Sequence, residues 1–135
     1  MLRSVVLAGI AACVIVASPS LAVVPDEDSA VSKNFKAVGR ELRSFGQISD
    51  QGEMIEMLEM FHTKLTANRG EVPSFMEAGT EQYAEYQEGI DEVLGKVEAA
   101  LALARSGDLD GAKDIVSGFR DMKKKYHDHF EIEDD

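Results

Sequence analysis

The sequence predicts an all-α protein, an antiparallel up-down-up-down four-helix bundle. Three observations point there. Apolar residues recur at spacings of three and four in four successive segments, the pattern of a helix with one face against a core. Capping residues and glycines stand where those segments would start and stop. No stretch sustains period-two alternation, so no sheet is expected. Four helices of several turns, joined mainly by short loops, bury their stripes best side by side and antiparallel.

The first stripe follows Pro25-Asp26-Glu27-Asp28 and runs through Val31, Phe35, Val38, Leu42 and Phe45, with Gly46 as its stop. The second opens at Asp50, where Glu53 three residues on resembles a capping box with Asp in the Ser/Thr place. It carries Met54, Met57, Leu58, Phe61 and Leu65 and ends near Asn68-Arg69-Gly70. Residues 70–79 read as the longest internal loop, with Phe75-Met76 its one large apolar pair. Thr80 can cap the third helix, whose stripe is Tyr83, Tyr86, Ile90, Val93, Leu94, Val97, Leu101 and Ala104 before Ser106-Gly107. Asp108 caps the fourth, which is expected to run unbroken through Leu109, Ala112, Ile115, Val116, Phe119, Met122, Tyr126 and Phe130. The acidic tail Glu131–Asp135 is expected to fray.

The chain starts with an export signature. Arg3 supplies the positive charge, Val5–Val16 is almost unbroken apolar, and Ser20-Leu21-Ala22 offers a small-x-small cleavage site. The apolar run is too short for a spanning helix, which needs about 20 residues. A lipoprotein reading is weaker. Ile10-Ala11-Ala12-Cys13 loosely resembles a lipobox, but Cys13 is followed by Val14-Ile15-Val16 rather than a polar tether. Two segments follow: a signal peptide over 1–22, and one bundle domain over 23–135 in the periplasm, with no membrane attachment once the signal is removed.

All 25 acidic residues stay with that domain and only Arg3 of the 14 basic ones leaves, so its net charge becomes −12. Such acidity argues against nucleic acid and anionic membranes as partners, because both reward Lys and Arg. Cys13, the single cysteine, leaves with the signal. The domain then has no disulfide, thiolate metal site or thiol nucleophile, and no Cys-x-x-Cys-His for covalent haem. It has no nucleophile triad and no phosphate-binding glycine loop, so a binding or carrier protein is expected rather than an enzyme.

A bundle builds its sites from side chains that project inward. At about 100° per residue, Leu109, Val116 and His127 fall close together, whereas His129 lies on another side. His127 is then either a ligand or a structural histidine at the core edge. Lys123, one turn earlier, also falls in the apolar arc, where its stem could equally cover apolar surface. Met54, Met57 and Met60 could gather Cu(I), although methionine more often fills core gaps. Glu59-Met60-Phe61-His62 is a lone Glu-x-x-His. A di-iron bundle needs that motif on two helices, so His62 is expected at the surface.

The C-terminal half carries Tyr86-Gln87-Glu88-Gly89-Ile90-Asp91, Leu94-Gly95-Lys96-Val97-Glu98-Ala99-Ala100-Leu101-Ala102-Leu103-Ala104, Gly107, and Tyr126-His127-Asp128-His129-Phe130. In these residues it resembles the cytochrome b562 family of periplasmic b-type haem proteins. Weaker similarity runs through Asn34-Phe35-Lys36, Val38, Leu42 and Phe45. The resemblance implies non-covalent haem b and a four-helix bundle. It also implies iron held by a late histidine, here His127, and by a methionine on the first helix. Tyr86 and Ile90 fall where the family places residues against the haem, and Lys123 where a cation could meet a propionate. Phe35 stands in the methionine position, and the first helix holds no Met, His or Cys.

A phenyl ring cannot donate to iron. Three outcomes follow: five-coordinate iron with Phe35 over an open side, ligation by another residue, or loss of haem. The resemblance implies an electron-transfer role with a redox partner protein. A His-only site would favour neutral gases, as in the distantly similar cytochromes c′. The alternative from a different class is a haem-free bundle that binds a protein or Cu(I). Export itself is directly measurable. Intact mass of the periplasmic protein should begin at Val23, and a mature form starting at acylated Cys13 would refute the signal reading.

Overall fold

The computed structural model describes residues 26–132; the expected signal peptide and the last three residues lie outside them. The helices are α1 (Ala30–Phe45), α2 (Gln51–Arg69), α3 (Glu81–Arg105), α4 (Leu109–Ser117) and α5 (Phe119–Phe130). No strand occurs among the described residues. The expected caps form as read. Asp50 accepts from Glu53 N, Thr80 from Tyr83 N, and Asp108 from Gly111 N. Each satisfies one of the backbone donors that a helix start leaves without an internal partner. Ser29 caps α1 in the same way, through Ser32 N.

These helices make a four-helix bundle in which α4 and α5 together form the fourth member. The expected single helix is broken at Gly118. There ψ is −7°, and the Gly118 N–H donates to Ile115 O, three residues back rather than four. Glycine is a poor helix residue for want of a side chain, so this tightened turn costs little there. Met122 N then donates to Gly118 O, which restarts the helix.

Contacts at both ends fix the neighbours as antiparallel. Gln51 at the start of α2 donates to Ala104 O at the end of α3, while Tyr86 near the start of α3 donates to Asn68 O at the end of α2. Asn34 near the start of α1 donates to Asn68 as well. His129 near the end of α5 meets Glu85 near the start of α3. α2 and α3 pack along their length, and α3 packs closely on α4. α1 rests chiefly on α2 and only lightly on α4, and α1 and α5 are not among the extensively packed pairs. That leaves a seam.

The core is the predicted set of stripes. Met54, Leu58, Phe61, Val97, Ala100, Ala104 and Ala112 are fully buried, and the Phe45 and Phe61 rings meet at 5.9 Å between centroids. The loop between α2 and α3 contributes Met76, which is buried, and Phe75, which packs half-buried against the core. Two expectations need correction. Phe35, expected on the core face with Val31 and Val38, is 39% exposed while those two valines are buried. The start of the tail is not frayed: Ile132 N donates to His127 O at 2.8 Å and Glu131 N to Asp128 O, with Glu131 left-handed at φ 56°. This pair of bonds is a Schellman cap, and Ile132 packs against the core behind it.

Candidate functional site

Antiparallel register brings the sequence-predicted site residues to one level of the bundle. Between α1 and α4, reaching the first turn of α5, lies a cleft bounded by Leu42, Arg43, Phe45 and Gly46 on one side and Lys113, Val116, Ser117 and Arg120 on the other. Phe35 precedes Leu42 by seven residues, and His127 follows Arg120 by seven. Seven residues are almost two full turns, so each residue lies on the same stripe as its cleft counterpart, about 10 Å further along. Phe35 and His127 therefore stand on either side of the seam between α1 and α5, level to within about half a turn.

The third wall comes from α3. Tyr86 and Ile90, one turn apart, are buried at 7% and 5% exposure. They share the layer with α5 because the Tyr126 ring lies against Gly89, where a Cβ would come within 2.9 Å of Cε1. Only glycine admits that ring without a shift. The Tyr126 hydroxyl donates to Glu92 on α3, and the residue after it is His127. His127 is half-buried, and its carbonyl is held by the Schellman cap. Lys123 is exposed rather than embedded in the apolar arc.

The other histidines lie away from this layer or on its outside. His129 is exposed, 2.8 Å from Glu85 and edge-on to the Phe130 ring. His62 pairs with Glu98 at 3.2 Å on the outer side of α2 and α3. Met54 is fully buried and Met57 and Met60 pack half-buried against the core, an arrangement that suits gap-filling rather than a gathered Cu(I) site. No cluster of three or more His, Cys, Asp or Glu suited to a metal ion occurs among the described residues.

Two features of the layer went unread in the sequence. Asn68, taken only as a helix end, is fully buried. Its Nδ2 donates to Val31 O at 3.1 Å, its Oδ1 accepts from Asn34 at 2.8 Å, and its carbonyl accepts from Tyr86 at 3.1 Å. It thus ties α1, one residue from Phe35, to α2 and α3. Arg69 makes a two-pronged pair with Asp91, Nη2 to Oδ2 3.1 Å, and that hydrogen bond holds the Asp91 carboxyl below its usual range. Gly89-Ile90-Asp91 therefore gives one residue each to the Tyr126 contact, the core and the α2 ion pair. The phase of Asn68 with Phe61 and Leu65, seven and three residues earlier, was the available signal for the first feature. No local pattern marks the second, whose partners are 22 residues apart.

The cytochrome b562 family model matches residues 30–131. The chain belongs to the cytochrome b562 family. It is 40% identical over 43 residues to the "Probable soluble cytochrome b562 2" of Yersinia pestis, a match over 32% of this chain and 34% of that protein. The matched stretch thus spans about a third of the relative's length. The family binds haem b and acts in electron carriage rather than as enzymes in general. The residues of this layer fit such a group from one side. His127 offers an imidazole donor at the edge of the core, Phe35 offers an apolar surface left uncovered across the seam, and Tyr86 and Ile90 form an apolar back wall. The donor set holds one nitrogen and no thioether on α1.

The phenols in the layer make alkaline stability a test of its packing. Burial pushes Tyr86 above its ordinary 10.0, and burial together with the Glu92 hydrogen bond pushes Tyr126 up to about 12. Both ionise more easily unfolded than folded. Their contribution is thus fully present below pH 10.0 and is lost as the pH rises from there towards about 12. Urea unfolding across that range should show a steep loss of stability, and Tyr86→Phe combined with Tyr126→Phe should flatten it. An unchanged slope would mean that the two hydroxyls are solvated in the folded protein.

Proposed function

We propose that this chain is an exported, periplasmic haem b protein in which His127 is the single protein donor to iron and Phe35 lines the other side without ligating. The reading is supported by helical period, which sets Phe35 and His127 on the stripes of Leu42 and Arg120 across the lightly packed α1–α5 seam, in a chain whose α1 has no Met, His or Cys. Export is supported by the first 22 residues, and no described helix is long and apolar enough to cross a membrane.

Haem, when bound, supplies a one-electron iron centre. The remaining roles belong to the chain. His127 donates a ring nitrogen, with its backbone fixed by Ile132 and its helix fixed to α3 by Tyr126. Tyr86 and Ile90 exclude water from the α3 side. Phe35 keeps the α1 side apolar and offers no donor, which leaves that position open to small neutral ligands. Lys123 stands one turn before His127, on the outside of α5, where an ammonium can meet a propionate. Electron transfer to a partner protein is the expected role. An open position adds gas binding to what the site can do.

Two measurements test this. His127→Ala should abolish stoichiometric haem uptake while His129→Ala leaves it nearly intact, because His129 is engaged outside with Glu85. Equal loss in both, or in neither, removes His127 from the role. The second concerns coordination. Wild-type protein reduced with haem bound should give a high-spin, five-coordinate spectrum and bind CO readily. Phe35→Met should turn it low-spin with a sharp α-band and slow CO binding, at a stability cost of about 1 kcal/mol or less, since Phe35 is partly exposed. A low-spin wild type would show that another residue ligates. Failure of both proteins to take up haem while remaining helical would leave a haem-free bundle.

A further inference from the structure

The charges of this acidic chain are segregated. α1 carries Lys33, Lys36, Arg40 and Arg43 against a single acid, Glu41. α3 carries six acids against Lys96 and Arg105. In the bundle α1 packs with α2 and α4, so α3 lies diagonally across from it. Neighbouring helices are about 8–10 Å apart, which puts the diagonal beyond one Debye length, about 10 Å at 0.1 M salt. At the surface of α1 the local cations therefore outweigh the distant acids. A net charge of −12 hides this.

The cations concentrate at the α1–α4 cleft already described, about 280 Å³ in volume. Arg43, Lys113 and Arg120 rim it, and no carboxylate lines it. Its floor is apolar: Phe45 and Val116 are buried and Leu42 is half-buried. Other cations of the bundle are spent on acids within the fold, Arg69 on Asp91, Arg105 on Glu59 and Lys36 on Glu27. Among the described residues, none of the three rim cations forms an ion pair. The cleft on the α2–α3 side has the opposite character, with Glu59, Glu98 and His62 mixed with Arg105.

We propose that the α1–α4 cleft is a docking site for an acidic segment of a partner protein, one that presents an apolar side chain between carboxylates. The three cations would take the carboxylates and the Leu42–Phe45–Val116 floor the apolar group. A protein segment fits better than a lipid headgroup layer. The cleft is a recess between two helices rather than a flat face, and the whole molecule's charge repels an extended anionic surface. The cleft lies about two turns from both Phe35 and His127, so a partner seated there lies beside the seam. The binding does not depend on haem; only the purpose of electron delivery rests on the haem reading.

The test uses the full exported protein and a 12-residue peptide of Asp, Glu and Leu as probe, with phosphatidylglycerol vesicles in a parallel arm. The peptide should bind at about 20 mM salt and be released at about 300 mM. Arg43→Glu, Lys113→Glu and Arg120→Glu should each weaken it about fivefold or more, and Arg43→Gln somewhat less. Lys96→Glu makes the same charge change on α3 and should alter binding less than about twofold. Circular dichroism confirms that each variant stays helical. Binding should be the same with and without haem, so a failure of the haem reading leaves this result standing. No peptide binding at low salt, equal weakening by Lys96→Glu, or tighter capture by the vesicles would overturn the proposal.

Discussion

A carboxamide that is wholly out of water must find partners for its oxygen and its NH₂ group, or it costs about 1–3 kcal/mol for each group left bare. Asn68 is in that position at the last turn of α2, and the partners it finds are Val31 and Asn34 of α1. Its own carbonyl receives the hydroxyl of Tyr86 from α3. α1 has no extensive contact with α5 and only a light one with α4, so its rotation at this end is set by its packing on α2 and by the bonds to Asn68. Phe35, adjacent to Asn34, inherits that rotation. With Asn34 turned towards α2, Phe35 lies about 100° round the helix, away from α2 and on the side of the seam.

The opposite wall is held by different means. α5 begins after a break and has no side-chain cap at its start, and it touches α3 and α4 only lightly. Three local devices compensate. Gly89 lets the Tyr126 ring approach α3 closely, Glu92 accepts from its hydroxyl, and the left-handed Glu131 with Ile132 closes the C-terminal end. His127 sits between the second and the third. A site residue in a short, lightly packed helix needs this much support if its ring is to keep one direction, because a displacement of about 1 Å is enough to spoil a ligand's geometry.

What was legible in the sequence was local or periodic. Asp50, Thr80 and Asp108 cap because the acceptor and the donor it serves are three residues apart, and the apolar stripes bury because period sets the face. The half-buried position of His127 follows from its phase with Val116 and Leu109. Gly118 was not legible, since a glycine inside an apolar stripe is tolerated as often as it breaks the helix, and tertiary packing decides which. Phe35 shows the limit of periodicity in a second way. Its phase puts it with Val31, Val38 and Leu42, but burial also needs a neighbour, and the seam provides none. Lys123 was misplaced because its angle was near the apolar arc, whereas its side chain is exposed. Asn68 and the Arg69–Asp91 pair join distant positions, and a single sequence gives no phase relation between them.

The exposed phenyl is therefore informative beyond its own contact. An apolar ring left 39% open forgoes part of the stabilisation that full burial would give, and in a bundle whose other stripes are well covered it marks where the described residues stop packing against one another. A methionine there would give a second donor, and two protein ligands hold both faces of an iron centre with little change between redox states. A phenylalanine gives bulk without a donor. In the haem reading proposed above, binding of the group would then rest on one imidazole, the apolar walls and the charges at the edge. The fold can tolerate that exchange because the supports of His127, namely Tyr126 on Gly89 and the cap at Ile132, do not pass through α1. The two sides of the seam are built independently, so a change of ligand chemistry on α1 leaves the histidine where it was.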